Sequence, residues 1–288
     1  MMPLLLLAVA VQVRVTPLSD HVILIQSPRS NMVASFGGDG AVVAGEMDTL
    51  STAAVAETLI VRSVPSRRLV VLDMAGLTSA GQGDAGWDNR GALVIMQEFA
   101  VRRMPRGFDA NVQRPRSEFS QFFSINMNGE SIHAVRQEPG YSNSDVLVHF
   151  EGANVIYLGE AFPGDGYPRI DAQLSGTLDG LLKTLDPWAR PDQPEFRPRF
   201  VGARGPLASS ADIIAFRDMV KAVAAEVGTL KAAGKSADDV VVAHPTKAYD
   251  QRWGHGLVSA ERFVRDVYQA SQVTCEAGHP ERSAGSAF

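Results

Sequence analysis

Histidine, carboxylate and glycine patterns carry most of the chemistry a chain of this kind could perform. The six histidines, His21, His133, His149, His244, His255 and His279, include no i, i+4 pair and no other metal-like spacing, so they do not by themselves build a zinc site. His133 and His149 fall in stretches of strand character. Ser79 lacks the sharp strand-to-helix elbow of a hydrolase nucleophile and has no identifiable histidine partner. Gly81-Gln82-Gly83-Asp84-Ala85-Gly86 matches the dinucleotide Gly-x-Gly-x-x-Gly pattern literally. Several residues separate it from the apolar run ending at Asp73, whereas that motif must turn a strand directly into a helix N-terminus, so nucleotide binding is not expected. Asp73 is expected to cap or pin the loop that follows it. Cys275 is the sole cysteine; it rules out an intramolecular disulfide and any cysteine-based metal site.

The bulk composition narrows the partners. A net charge of −5 over 288 residues, with arginine scattered rather than clustered, offers no basic surface for phosphates, so nucleic acid is excluded as an expected partner. With 45% apolar and 20% charged residues the chain can build an ordinary packed core. Met1–Gln12 reads MMPLLLLAVAVQ: the short apolar run and Ala8-Val9-Ala10 fit an export signal, yet no Lys or Arg precedes them, and a first β-strand fits as well. Localisation stays open between cytoplasm and export. No segment approaches the roughly 20 apolar residues of a membrane span.

The elements that would position these side chains follow from periodicity. Val11 to Gly45 offers the runs VQVRV, HVILIQ, MVASF and AVVAG between turn-forming residues, an antiparallel meander. Thr49 to Val64 has helical spacing and stops near Pro65. Leu69 to Asp73 is continuously apolar, as a strand buried on both faces would be, and opens into MAGLTSAGQGD. Further strands are expected at 92–96, 122–127, 131–135, 145–150, 154–158 and 200–201, with Asn128-Gly129 as a tight hairpin turn. Helices are expected at 177–185, 211–233, 237–243 and 259–270. This order suggests two packed sheets with helices outside. The proline-rich stretch 187–198 reads as a surface loop, residues 13–275 as one domain, and 276–288 as a flexible tail.

Five phrases in this order together resemble the metallo-β-lactamase superfamily, over about Val13 to Tyr268. HVILIQSPRSNMVASFGGDGAVVAGE is similar to its opening meander, and VVLDMAGLTSAGQGD stands where the family has a His-x-His-x-Asp-His loop. EPGYSNSDVLVHFEGANVIYLGEAF resembles the segment with the third histidine and the bridging aspartate. VGARGPLASSADIIAFRDMV resembles the last strand, turn and helix, and HPTKAYDQRWGHGLVSAERFVRDVY resembles a C-terminal helical signature. The resemblance implies a four-layer αββα sandwich with a C-terminal helical extension.

It also implies a lost metal centre. The family's first-loop ligands fall on Ala75, Leu77, Ser79 and Ala80, the later histidine on Tyr141, the bridging aspartate on Glu160 and the last histidine on Arg204. Alanine and leucine have no lone pair to donate, and Arg204 would put a permanent cation where two dications should sit. No cofactor and no bound metal are therefore expected. The substitutions suggest mutual compensation, with Arg204 neutralising Glu160 and Tyr141 filling volume left by imidazole. Two outcomes stay open: a plug that holds a relic site shut, or an open cleft in which Tyr141, Glu160 and Arg204 act as acid, base or anion anchor. In the second case Ala75, Leu77, Ser79, Ala80, Trp87, Phe162, Tyr167 and His255 would line a more apolar pocket for a small organic molecule, which would be rearranged, cyclised or cleaved by elimination. A non-catalytic pseudoenzyme acting as a binding or interaction protein, and a hydrolase using unusual metal ligands, are the alternatives. Self-association into a homo-oligomer is also left open.

Overall fold

The computed structural model describes residues 13–27, 29–45, 68–74, 91–103, 116–191, 193 and 195–270. The helix expected at 49–64, the loop 75–90 with Ala75, Leu77, Ser79, Ala80 and Trp87, the N-terminal apolar run and the C-terminal tail lie outside the described residues.

Strands β1 (Arg14–Pro17), β2 (Val22–Gln26), β3 (Asn31–Gly37) and β4 (Gly40–Gly45) form the antiparallel meander that the alternating turn signals predict. β5 (Leu69–Asp73), β6 (Leu93–Gln97) and β7 (Arg116–Phe119) then add in parallel, completing a first sheet in sequence order. A second sheet runs β12 (Arg199–Gly202), β11 (Val155–Gly159), β10 (Val146–Phe150), β9 (Glu130–Arg136), β8 (Phe122–Met127). β12 joins it parallel to β11, the other pairs being antiparallel. Asn128 and Gly129 both take positive φ, 57° and 74°, in the two-residue turn between β8 and β9. This is the left-handed geometry for which Asn-Gly is suited.

Among the described residues the helices are α1 (Glu98–Arg103), α2 (Leu178–Leu185), α3 (Ser210–Ala232), α4 (Ala237–Ala243), α5 (Asp250–Trp253) and α6 (Ala260–Ala270). The apolar residues sort into three layers. Leu24, Val42, Leu72, Phe150 and Tyr157 fill the space between the sheets. Phe162, Phe200, Phe216, Trp253 and Phe263 fill the space between the second sheet and the helices. Ile23, Met32, Val43, Val71 and Met96 form a third cluster on the other face of the first sheet, with Ala100 of α1. Strands buried on both faces lose the period-2 alternation, which is why β4 and β5 read as unbroken apolar runs. The architecture is the expected αββα sandwich. α1 and β7 were not expected from the sequence; both are short and charged, and β7 (RSEF) forms only because β6 offers it a ladder.

The sheets are tied at one end by a buried carboxylate. Glu130 accepts from the backbone N–H of Gly152 at 2.6 Å, and its Oε2 lies 3.0 Å from His21 Nε2. His21 belongs to the turn before β2, so one hydrogen-bonded group links two hairpins of the second sheet to the first. No helix among the described residues is long and apolar enough to cross a membrane.

Candidate functional site

Strand ends converge on one side of the sandwich. β5 delivers Met74; the connection between β9 and β10 delivers Gln137 and Tyr141 to Asp145; β11 ends just before Glu160, and β12 just before Arg204. Loops at strand ends are where a rigid sheet can present side chains without spending its own ladder hydrogen bonds.

Arg204 forks onto Glu160. Nη1 donates to Oε1 at 2.6 Å and Nη2 to Oε2 at 3.1 Å, a bidentate pair with the side chains 8% and 16% exposed. The guanidinium Nε also faces Asp165 Oδ1 at 3.5 Å. One cation thus stands between two carboxylates. The backbone around Arg204 is held as well. Its N–H donates to Pro163 O, and Asn31 at the start of β3 donates through Nδ2 to Gly202 O and Gly205 O on either side of it. Gly164, at φ +86°, lies so close that a Cβ there would sit 2.1 Å from the Arg204 carbonyl oxygen.

Asp145 organises the neighbouring loop. Its Oδ2 accepts from the N–H groups of Gly140 and Tyr141 at 3.0 and 2.7 Å, and its Oδ1 from the N–H and Oγ of Ser142, both at 2.9 Å. Burial nevertheless pushes its carboxyl up to about 6, against the pull of these donors toward the charged form. From α1, Arg103 donates to the side chains of Asn143 and Ser144. Burial lowers the Arg103 pKa while the nearby Asp145 charge opposes that. Tyr141 is buried, with the Arg169 guanidinium over its ring at 5.3 Å.

Tyr141, Asp145 and Glu160 line one cleft with Met74, Gln137 and Ser144. It leaves about 20 Å³ for the centre of a water molecule, room for roughly one water. A roomier groove, about 140 Å³, lies elsewhere on the proline-rich loop, between Trp188, Phe196, Arg190 and Pro198.

The residues singled out in the sequence therefore separate. Glu160 and Arg204 are in contact, and Tyr141 lines the same cleft as Glu160. Phe162 and Tyr167 do not line it. Phe162 packs edge-on against Phe216 in the helical core, and Tyr167 stacks on Phe263 while its hydroxyl donates to Asp250 at 2.7 Å. Their aromatic character reflects core packing, which composition cannot distinguish from a ligand wall. His255 is exposed, its Nε2 3.1 Å from Gln251 O. Asp145, Asp165 and Arg103 escaped sequence reasoning. For Asp145 a signal existed, since a carboxylate ending the run Tyr141-Ser142-Asn143-Ser144 suits a side-chain-capped turn.

No family model matches the sequence, and no curated protein matches it by sequence. Solved structures do match by fold. One is a metallo-beta-lactamase from Pontibacter korlensis, at TM-score 0.57 and 13% identity, covering 73% of this chain and 99% of that one. Another is the stereoselective inverting sec-alkylsulfatase Pisa1 from Pseudomonas sp., at TM-score 0.64 and 12% identity, covering 89% of this chain. A double mutant of that sulfatase matches at TM-score 0.63 and 13% identity. This chain spans about half the length of the sulfatase, 50% of it.

Proposed function

We propose that this chain, whose fold is that of the metallo-β-lactamases, is a metal-independent member in which an internal ion pair has replaced the zinc centre and which acts as a non-catalytic binding or interaction protein. The observation that carries this reading is the Arg204 fork. Both Glu160 oxygens are engaged by a guanidinium, so the one conventional ligand type left at the matching positions is already neutralised by a permanent cation, which would repel a metal ion beside it. Among the described residues no group of three or more His, Cys, Asp or Glu is placed to hold a metal. The donor set does not fit a zinc pair, which needs imidazole and carboxylate ligands around each ion.

Among the described residues, the small cleft supports the plug over an open substrate pocket: sites for small organic molecules usually offer ~300–1,000 Å³, whereas the cleft between Met74, Tyr141, Asp145 and Glu160 leaves space for about one water. A second reading, an acid/base enzyme acting on a small neutral or cationic molecule, is favoured by one observation: Asp145, its carboxyl raised to about 6, shares the cleft with Tyr141 and Glu160. A group titrating near neutrality is suited to proton transfer.

The test is an activity panel of β-lactam, thioester and alkyl sulfate, run on the purified chain with and without added zinc. Hydrolysis should not exceed that of zinc in buffer. Turnover above background that is abolished by Glu160→Gln would overturn the reading.

A further inference from the structure

Among the described residues the two sheets have four edge strands, and three of them are protected. β1 (RVTP) carries Arg14 and Pro17; β7 (RSEF) carries Arg116 and Glu118; both have four residues. β12 has its outer side covered, because Phe200 and Ala208 exchange backbone hydrogen bonds at 2.8 and 2.9 Å. Charge, proline, shortness and coverage are the devices by which sheet edges avoid pairing with other chains. Among the described residues β8 has none of them. It is six residues long, FFSINM, and the segment from Phe119 to Gly129 contains no charged residue. Among the described residues no strand lies on its outer side. Phe122 is 56% exposed, the largest exposure of any aromatic side chain in the described residues, with only the His133 ring stacked on it at 5.7 Å.

We propose that β8 pairs antiparallel with β8 of a second copy of this chain, joining the two five-stranded sheets into one continuous sheet about a two-fold axis. The occupant is a second copy because the strand is self-complementary. A two-fold places each residue against its own strand reversed, and an uncharged strand meets no like-charge repulsion there. The axis must pass between a residue and its own copy, so that opposed positions differ by an even number, because directly opposed residues of antiparallel strands point to the same face. Centred on Ser124, it sets outward Phe122 against Asn126 and sets Phe123 against Ile125, both of which pack toward the inter-sheet core. The exposed Phe122 ring then gains a neighbouring strand to cover it.

Light scattering after size exclusion, on the full chain at tens of micromolar, tests this. The wild type should run at twice 30.9 kDa. Ser124→Lys brings two lysines face to face at the axis and should weaken the dimer by about tenfold or more, giving monomer. Ser124→Glu should do the same alone, and mixing the Lys and Glu variants should restore dimer. Ser124→Ala, which loses only the contact to His133 Nδ1, should remain dimeric and controls for folding. A monomeric wild type, or a dimer indifferent to Ser124→Lys, would overturn the proposal.

Discussion

Removing the guanidinium of Arg204 and removing the charge of Glu160 are unequal operations. Arg204→Ala leaves a carboxylate that is mostly buried and beside Asp165. Its expected cost is about 3 kcal/mol, at the lower end of the range for breaking a buried pair because Glu160 keeps some exposure. Glu160→Gln leaves an amide oxygen that still accepts from Arg204, and Asp165 still balances the cation, so about 1 kcal/mol is expected. Denaturant melts of the two variants check the order; equal, negligible shifts would mean that the fork contributes nothing in solution. Asp145 gives a pH prediction. A carboxyl raised from its ordinary 3.8 to about 6 holds its proton more tightly folded than unfolded. Its contribution to stability therefore falls as pH rises from about 4 to 6 and is level above that, by about 3 kcal/mol over the window. The stability difference between wild type and Asp145→Asn should trace this fall. A difference that grows with pH would show that the four donors hold the carboxylate ionised. At this scale the sequence was informative where residue types were anomalous: Arg204, standing where the resembled family carries its last histidine, predicts its Glu160 partner. It was uninformative where the determinant is burial, as with Phe162 and Tyr167, whose aromatic rings look alike in core and cleft.

The loops after β11 and β12 depend on each other through backbone contact. Gly164→Ala sets a Cβ against the Arg204 carbonyl at 2.1 Å and also forces an L side chain to φ +86°. About 2 kcal/mol or more of destabilisation is expected. Gly228, inside α3, has nothing within 4 Å of an added Cβ and no positive φ. Gly228→Ala should therefore stabilise by about 0.5–1 kcal/mol through helix propensity. Thermal melts of the two variants should move in opposite directions, and a shared sign would mean that one local geometry is misassigned. Most elements were legible because their signals are local. The Asn128-Gly129 turn, the continuous apolar β5 and the helical spacing of 211–233 each correspond to an observed element. β7 and α1 were not, since a four-residue charged strand is created by its neighbour's ladder, a tertiary effect with no local pattern.

Across the molecule, the sandwich is read from the order of its elements, and the proposed function from the residues at its strand ends. Sequence order placed Glu160 and Arg204 at adjacent strand ends because β11 and β12 pair in parallel, a relation visible only by resemblance to a fold whose topology is fixed. It could not show that Asp165 and Asp145 also converge there, since that depends on loop paths. On the proposed reading, the Arg204–Glu160 ion pair stands in for a metal centre. Zinc content by mass spectrometry on the chain purified without added metal, followed by melting with and without EDTA, tests it most directly. Well under one zinc per chain and an unchanged melting temperature are predicted. Stoichiometric zinc that survives dialysis, with a melting temperature that drops in EDTA, would contradict it.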